Sequence, residues 1–341
     1  MPDATPRRPP GSTDVARRAG VSQKTVSRVM NGERYVSPEV RDRVLAAARE
    51  LGYRRNTAAR ALNLGRFHRI GVLTLGSSLY GPASTLVALE RAVRGTGYSL
   101  SLVTTVEGRA GIARGVEVLL GQGVDGIVLS EPIDEGEGIQ LDLDVPLVSL
   151  SPMPELTGPN ILVLDDAGVT AGRAATEHLL GLGHATVWHV AGPSRWYSAR
   201  ERVRGWREAL AAAGAAEPPI IEGDWSPESG YAAGRRLLRA DDLTAVFVAN
   251  DEMAIGVTRA LAEAGRPVPG DVSVVGMDDI PVAAYQSPPL TTVRQEFDVM
   301  AARGLELLVE RIEGTPPATP HDELPVHLVV RGSTAPPRSR R

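Results

Sequence analysis

The chain has 341 residues, 43% of them hydrophobic, so it is too long for one small domain and has enough apolar material for two or three compact units. It contains no cysteine, which excludes disulfides, thiolate metal sites and cysteine nucleophiles. The net charge of −4 conceals an asymmetry. Residues 1–69 carry 15 basic and 6 acidic side chains against 22 and 35 in the remainder, so a polyanionic partner is implied for the basic head alone.

Residues 1–10 hold Arg and Pro without an apolar run, and no apolar stretch reaches the length of a membrane span. No secretory signal and no membrane partner are therefore expected, and a cytoplasmic location is. Asp14 to Asn31 reads as a helix, a tight turn and a second helix. Val15, Ala16 and Ala19 form a short apolar stripe, and Gly20 can take the left-handed turn conformation. Ser22 suits the N-cap of the second helix, whose inner face is Val26, Val29 and Met30. Its outer face carries Gln23, Lys24, Ser27 and Arg28, the donor-rich side chains that a major-groove recognition helix needs near its N-terminus. On these residues alone, a plain amphipathic helical hairpin is an equal reading.

Ser37-Pro38-Glu39 opens a third helix, with Ser37 as N-cap, an inner face of Val40, Val44, Ala48 and Leu51, and Gly52 as its left-handed stop. Three short helices sharing an apolar face make a bundle of the size of a DNA-reading head. Residues 56–65 form a further helix-capable segment that is too short and too weakly apolar to be stable alone in water.

Residues 14–65 resemble the DNA-binding head and hinge of the LacI/GalR family of bacterial regulators. The likeness rests on Asp14-Val15-Ala16, Ala19-Gly20-Val21-Ser22, Thr25-Val26-Ser27-Arg28-Val29, Asn31, Val36-Ser37, Leu51-Gly52-Tyr53, Asn56 and Ala59-Arg60-Ala61-Leu62. It implies a head over 11–55 and a hinge helix over 56–66. It further implies a homodimer on a pseudopalindromic double-stranded operator, and DNA contacts by Ser22, Gln23, Lys24, Thr25, Ser27, Arg28, Asn31, Tyr53, Asn56, Ala59 and Leu62. Leu62 would be the wedge that opens the minor groove. Ser12 and Arg55 depart from the pattern, standing where an apolar residue and a proline are usual.

From Ile70 onward, short β-rich runs alternate with helical stretches. Strands are expected at 70–75, 99–104, 126–130, 146–150, 161–164, 186–191, 245–249 and 272–275. Helices are expected at 83–94, 111–120, 168–180, 199–213, 230–238, 252–264 and 299–312. Alternation of this kind implies α/β architecture, here two doubly wound parallel-sheet lobes with ligand crevices at their strand ends. The family's periplasmic-binding-protein type I-like body has this organisation. The resemblance implies a body over 68–333, with lobe 1 at about 68–165 and 297–324 and lobe 2 at about 166–293 and 325–333. Chain crossings would lie near 164–167, 291–297 and 323–326.

Body segments matching the family's sugar-responsive members include Ser77 to Leu79 with Pro82, Ala191-Gly192-Pro193, Ser198-Ala199-Arg200, Asp224-Trp225-Ser226 and Asn250-Asp251. Asp278-Asp279, Gln295 and Phe297 follow. The resemblance implies a small-molecule effector, a sugar, held between the lobes by Ser77, Leu79, Pro82, Ser151, Trp196, Ser198, Arg202, Trp225, Asn250, Asp278 and Phe297. Hydroxyl pairs suit Arg and Asp, and the C–H face of a pyranose suits an indole. Trp206 is expected in the core, one of Asp278 and Asp279 can serve simply to cap a turn, and Trp196-Tyr197 reads as a cleft wall. Departures are Ser151, where an acid is usual, Trp196 in place of a small polar residue, and Glu252 in place of an amide. No Gly-rich phosphate loop, His-Glu-x-x-His motif or nucleophile elbow occurs, so an enzyme is disfavoured and neither cofactor nor metal is expected. A purine or phosphoprotein corepressor remains an alternative effector. The residues after Val330 contain no leucine heptad, so a tetramerising helix is not expected and a dimer is.

Overall fold

A computed structural model describes residues 10–30, 33, 35–53, 65–76, 78–105, 109–131, 139–153, 156–165, 167–315 and 324–338. The chain divides into two units, Met1–Phe67 and His68–Arg341. Asn31, Asn56, Ala59, Leu62 and Ser77, and with them nearly all of the expected hinge helix, lie outside the described residues.

The first unit contains α1 (Ser12–Ala19), α2 (Gln23–Met30) and α3 (Pro38–Leu51). The Asp14 carboxylate accepts the Gly11 N–H at 2.9 Å and so starts α1, and Gly20, at φ 66°, ends it. The Ser22 hydroxyl accepts the Thr25 N–H at 3.1 Å, the cap expected for α2. Ser37 precedes α3 as expected, but its hydroxyl makes no cap bond; the fixed φ of Pro38 preorganises that first turn instead. Val15, Ala16, Ala19, Val26, Val29, Val44, Ala47 and Ala48 form one buried cluster, with Tyr53 packed at its margin. The exposed Arg18–Glu50 ion pair (2.7 Å) links α1 to α3, but pairs of this kind contribute at most about 1 kcal/mol, so the apolar face holds the head together.

The second unit is built on two sheets. In the first, β1 (Arg69–Thr74), β2 (Ser99–Thr104), β3 (Gly126–Leu129), β5 (Leu147–Ser149) and β7 (Ile161–Val163) lie parallel in the order β2-β1-β3-β5-β7. Short strands β4 (Ile139–Gln140) and β6 (Leu156–Thr157) pair separately. One face of this sheet packs on α4 (Tyr80–Val93) and α10 (Phe297–Glu313), the other on α5 (Arg109–Gly121).

The second sheet has the order β13-β12-β11-β10-β8-β9, formed by β8 (Trp188–Ala191), β9 (Ile221–Glu222), β10 (Ala245–Val248), β11 (Ser273–Asp278), β12 (Thr291–Gln295) and β13 (Val326–Val329). Only β13 is antiparallel. Helices α6 (Gly168–Gly181) and α7 (Tyr197–Ala213) cover one face, and α8 (Pro227–Leu237) and α9 (Asp251–Glu263) the other. The fully buried β10 shows the strand period: Ala245 and Phe247 face the first pair of helices, Val246 and Val248 the second. Among the described residues no helix is long and apolar enough to cross a membrane.

The doubly wound α/β architecture agrees with the sequence reading, and the expected strands and helices are present with shifted ends. Segment 291–297, expected as a chain crossing, holds strand β12 of the second sheet, and α10, which packs on the first sheet, starts at Phe297. Its start, Thr291-Thr292-Val293, is wholly buried but looks polar in sequence; the threonine hydroxyls are matched only in three dimensions, by Thr334 and Asp251.

Helices α6 and α7 approach so closely that a Cβ on Gly172 would overlap the Arg202 carbonyl, and one on Gly205 would overlap the Val169 carbonyl. Backbone meets backbone at this crossing, and neither side can yield as a side chain could. Gly172→Ala should therefore destabilise the protein by about 1–3 kcal/mol despite the better helix propensity of alanine. Gly181→Ala, in open space at the end of the same helix, should not, and urea unfolding of both variants measures the difference.

Candidate functional site

Each unit carries a distinct candidate surface. On the head, Ser22, Gln23, Lys24, Ser27 and Arg28 are exposed along α2 while Val26 and Val29 are buried beneath them. Thr25 is half-buried and its hydroxyl bonds that of Ser22 at 2.9 Å. The Gln23 amide donates to Ser12 Oγ at 2.9 Å, and Arg28 lies 3.5 Å from Glu33. Tyr53 is also half-buried, because its N–H closes the end of α3 on the Ala48 carbonyl at 2.8 Å.

In the body, the strand ends of both sheets open on a cleft lined by apolar and aromatic side chains with a few polar groups among them, the make-up of small-molecule sites. The chain reverses winding direction between β1 and β3 in one sheet and between β8 and β10 in the other, and crevices of doubly wound sheets form at such points. Leu79, Pro82 and Ser151 line it from the first lobe; Trp196, Ser198, Arg202, Trp225, Asn250 and Asp278 line it from the second, and Phe297 lies at the start of α10. The structure thus brings together every expected ligand residue that it describes. Sequence reasoning missed Tyr80, Gly81, Thr85, Ser130, Glu131 and Met300; it noted Gln295 only as part of the family pattern and Glu252 only as a departure. Glu131 was findable, since an acid directly follows strand β3, at the crevice end of a parallel strand.

Arg202 projects from α7 beneath the indole of Trp225, its guanidinium carbon 5.3 Å from the ring centroid. It donates to the Ala249 carbonyl at 2.5 Å and stands 4.0 Å from Asp278, and its Nε is buried without a hydrogen-bond partner. Trp196 and Trp225 meet edge to face with centroids 5.7 Å apart, forming an aromatic corner. The Trp225 Nε1 is likewise buried and unpartnered, and its ring leaves no room for a side chain on Gly192.

Asn250 is committed to the framework. Its Oδ1 accepts the Met253 N–H and its Nδ2 donates to the Trp225 carbonyl, both at 3.0 Å, so it caps α9 and braces the indole. Asp278 accepts a hydrogen bond from Gln295, while Asp279 turns away to pair with Arg331 (2.6 Å) and Arg294 (2.7 Å). Trp225, Asp278 and Asp279 have φ of 76°, 110° and 53°, conformations that side-chain-bearing residues adopt only under constraint and that cluster at ligand sites. Burial pushes the Asp278 carboxyl up to about 6, opposed by Arg202 and by the Gln295 hydrogen bond.

Tyr197 is a correction. Rather than walling the cleft beside Trp196, it is buried among first-lobe residues such as Leu73, Ile139 and Met153, because as the first residue of α7 it points away from the Trp196 side. Trp206 is fully buried as expected, its indole N–H on the Val187 carbonyl at 2.8 Å. Among the described residues no cluster of His, Asp and Glu is placed to hold a metal ion.

Residues 13–56 match the family of bacterial regulatory proteins of the lacI type, and residues 176–334 match the periplasmic binding protein-like domain. The lactose operon repressor of Escherichia coli K12 is 35% identical over 334 residues, covering 96% of this chain and 91% of that protein. The HTH-type transcriptional regulator CelR of Thermobifida fusca is 37% identical over 340 residues, covering 96% and 99%. A crystal structure of the lac repressor dimer bound to operator and the anti-inducer ONPF superposes with TM-score 0.83 at 32% identity, covering 96% of this chain and all of that one. The CelR–cellobiose complex superposes with TM-score 0.68 at 33% identity, covering 95% and 99%.

The raised Asp278 carboxyl has a consequence for stability. Between the unfolded pKa, near 4, and the folded value of about 6, the folded protein binds the extra proton, so this residue's contribution falls as pH rises through that window. Asp278→Asn should therefore raise the melting temperature of the ligand-free protein at pH 7.5, and by less at pH 5. Thermal melts of both proteins at the two pH values check the sign.

Proposed function

The chain belongs to the lacI family of bacterial regulatory proteins, and from that membership we propose that it is a transcriptional repressor whose operator affinity is set by a sugar or glycoside bound in the cleft. One observation carries the sugar reading. An edge-to-face pair of indoles and a buried guanidinium–carboxylate pair line one cavity, which offers a C–H platform and hydroxyl partners together. The relatives add support: one is seen on operator with an anti-inducer and another with cellobiose. Both are repressors or regulators rather than enzymes, and no catalytic role is assigned to any residue here.

On this reading the chain acts in the cytoplasm as a homodimer on a pseudopalindromic operator, two-fold protein symmetry demanding two matching half-sites. Residues 11–55 form the DNA-reading head and 56–66 the hinge, and the lobes divide near residues 165 and 297. Gln23, Lys24 and Arg28 reach base edges, while Arg202, Asp278, Trp196, Trp225 and Phe297 hold the effector.

Lys24→Ala and Arg28→Ala should each lower discrimination between operator and random DNA by roughly 1–3 kcal/mol for every base-edge hydrogen-bond pair removed. Fluorescence anisotropy on both DNAs tests this, and an equal loss on each would assign the residue to phosphate. Asp278→Ala and Arg202→Ala should keep operator affinity but lose the effector response. Because coupling between the sites is reciprocal, an effector that weakens DNA binding must itself bind less tightly to the operator complex. Operator titrations across mono- and disaccharides test both points. Variants that respond at the wild-type sugar concentration would place the effector elsewhere.

A further inference from the structure

Three carboxylates, those of Glu131, Glu252 and Asp278, line the cleft, and among its described residues Arg202 is the single cation facing them. The two glutamates occupy a particular kind of position. Beyond the end of β1, the Leu75 N–H and the Thr74 hydroxyl point at one spot, a ready seat for an anion. Glu131 fills it. One of its oxygens accepts from both, at 3.0 and 2.7 Å, and the other accepts from the Ser130 hydroxyl. On the same lobe, α4 opens at Tyr80, presenting the positive end of its dipole among the lining residues. Helix starts in crevices of this kind commonly bind phosphate. Here the carboxyl group of Glu252, on α9 of the other lobe, comes to the same end of the cleft as Tyr80, where burial raises its pKa and the nearby Tyr80 N–H opposes that rise. Arg202 is engaged in part, bonded to the Ala249 carbonyl and set against Asp278, with its Nε left unpartnered.

We propose that Glu131 and Glu252 are built-in anions that fix the specificity of the cleft for uncharged, hydroxyl-bearing ligands and exclude sugar phosphates and sugar acids. The proposal rests on the saccharide reading above and deepens it. Both seats where an anionic group would dock are filled from within, and a ligand charge entering beside them meets repulsion at short range in a partly desolvated cavity. At the effective dielectric of such sites, that repulsion separates neutral from anionic ligands by roughly a hundredfold or more. Each carboxylate retains acceptor capacity toward hydroxyl groups, so the devices that exclude anions also serve neutral polyols.

The test is isothermal titration of the full-length protein with cellobiose, lactose, glucose and ribose, each beside its terminal phosphate ester. Wild type should bind a neutral sugar and its ester about a hundredfold more weakly. Glu252→Gln and Glu131→Gln, shown to be folded by cooperative thermal melts, should each narrow that gap about tenfold by gaining affinity for the ester. An ester that binds wild type as tightly as its parent sugar, or a gap unchanged in both variants, overturns the proposal and leaves the saccharide reading standing. If wild type takes up no sugar or ester, the saccharide reading fails separately, and inorganic phosphate decides the exclusion. Phosphate uptake by Glu252→Gln but not by wild type upholds it, and equal behaviour of the two overturns it.

Discussion

The binding edge of the second lobe depends on one buried carboxylate. Asp251, at the start of α9, is fully inaccessible and accepts the Thr292 hydroxyl at 2.6 Å and the Ile280 N–H at 2.9 Å. Those bonds tie the helix to β12 and to the turn after β11, so that Asn250, Asp278 and Gln295 come to one rim. Nothing larger than glycine fits at position 276, because a Cβ there would run into the Asp251 carboxylate. Burial, with Asp278 and Asp279 nearby, holds its pKa well above the ordinary carboxylate range. A polar group so placed costs stability unless every bond is made, and it thereby specifies a single arrangement of the strand ends around it.

The cleft departs from the rules that govern the rest of the fold. Trp225 and Asp278 sit at positive φ, two buried nitrogens lack partners, and several acids converge on one cation. Each feature is unfavourable for folding alone, and each leaves a group positioned for something outside the protein. The surrounding cores are ordinary by contrast. They contain aliphatic side chains on both faces of each sheet, with Trp206, His189 and Phe247 stacked in the second lobe. His189 is held neutral there, burial pushing its pKa down to about 4.

The opposite charges of head and body assign different partners to the two units. Basic residues are enriched where a polyanion would bind, and the cleft of the acidic body has no cationic residue but Arg202 among those described. The head gains little from its surface ion pairs and holds its shape through a small apolar cluster, which leaves the outer face of α2 with few structural contacts beyond the Ser22 cap, the Gln23–Ser12 bond and the Arg28–Glu33 pair.

Much of this was written in the sequence because local physics decides it. The stop glycines Gly20 and Gly52, the Ser22 cap and the apolar stripes of α1 to α3 depend on residues a few positions apart, as do the runs that became β1, β10 and β11. Arg202, Trp225 and Asp278 were legible as a group only through the family pattern, since their spacing carries no local signal. The remainder required the tertiary structure. Strands β4, β6 and β9 are two residues long and have no period to detect, and β12 hides its burial behind threonines satisfied by Asp251 and Thr334. Tyr197 joined the opposite lobe's core, Glu131 took up the donors at the end of β1, and Glu252 came from the other lobe to the start of α4. Such pairings join residues from 41 to about 170 positions apart in sequence. Residue type and local period determine which elements form; only the folded chain determines which polar groups find one another, because burial removes water as the alternative partner.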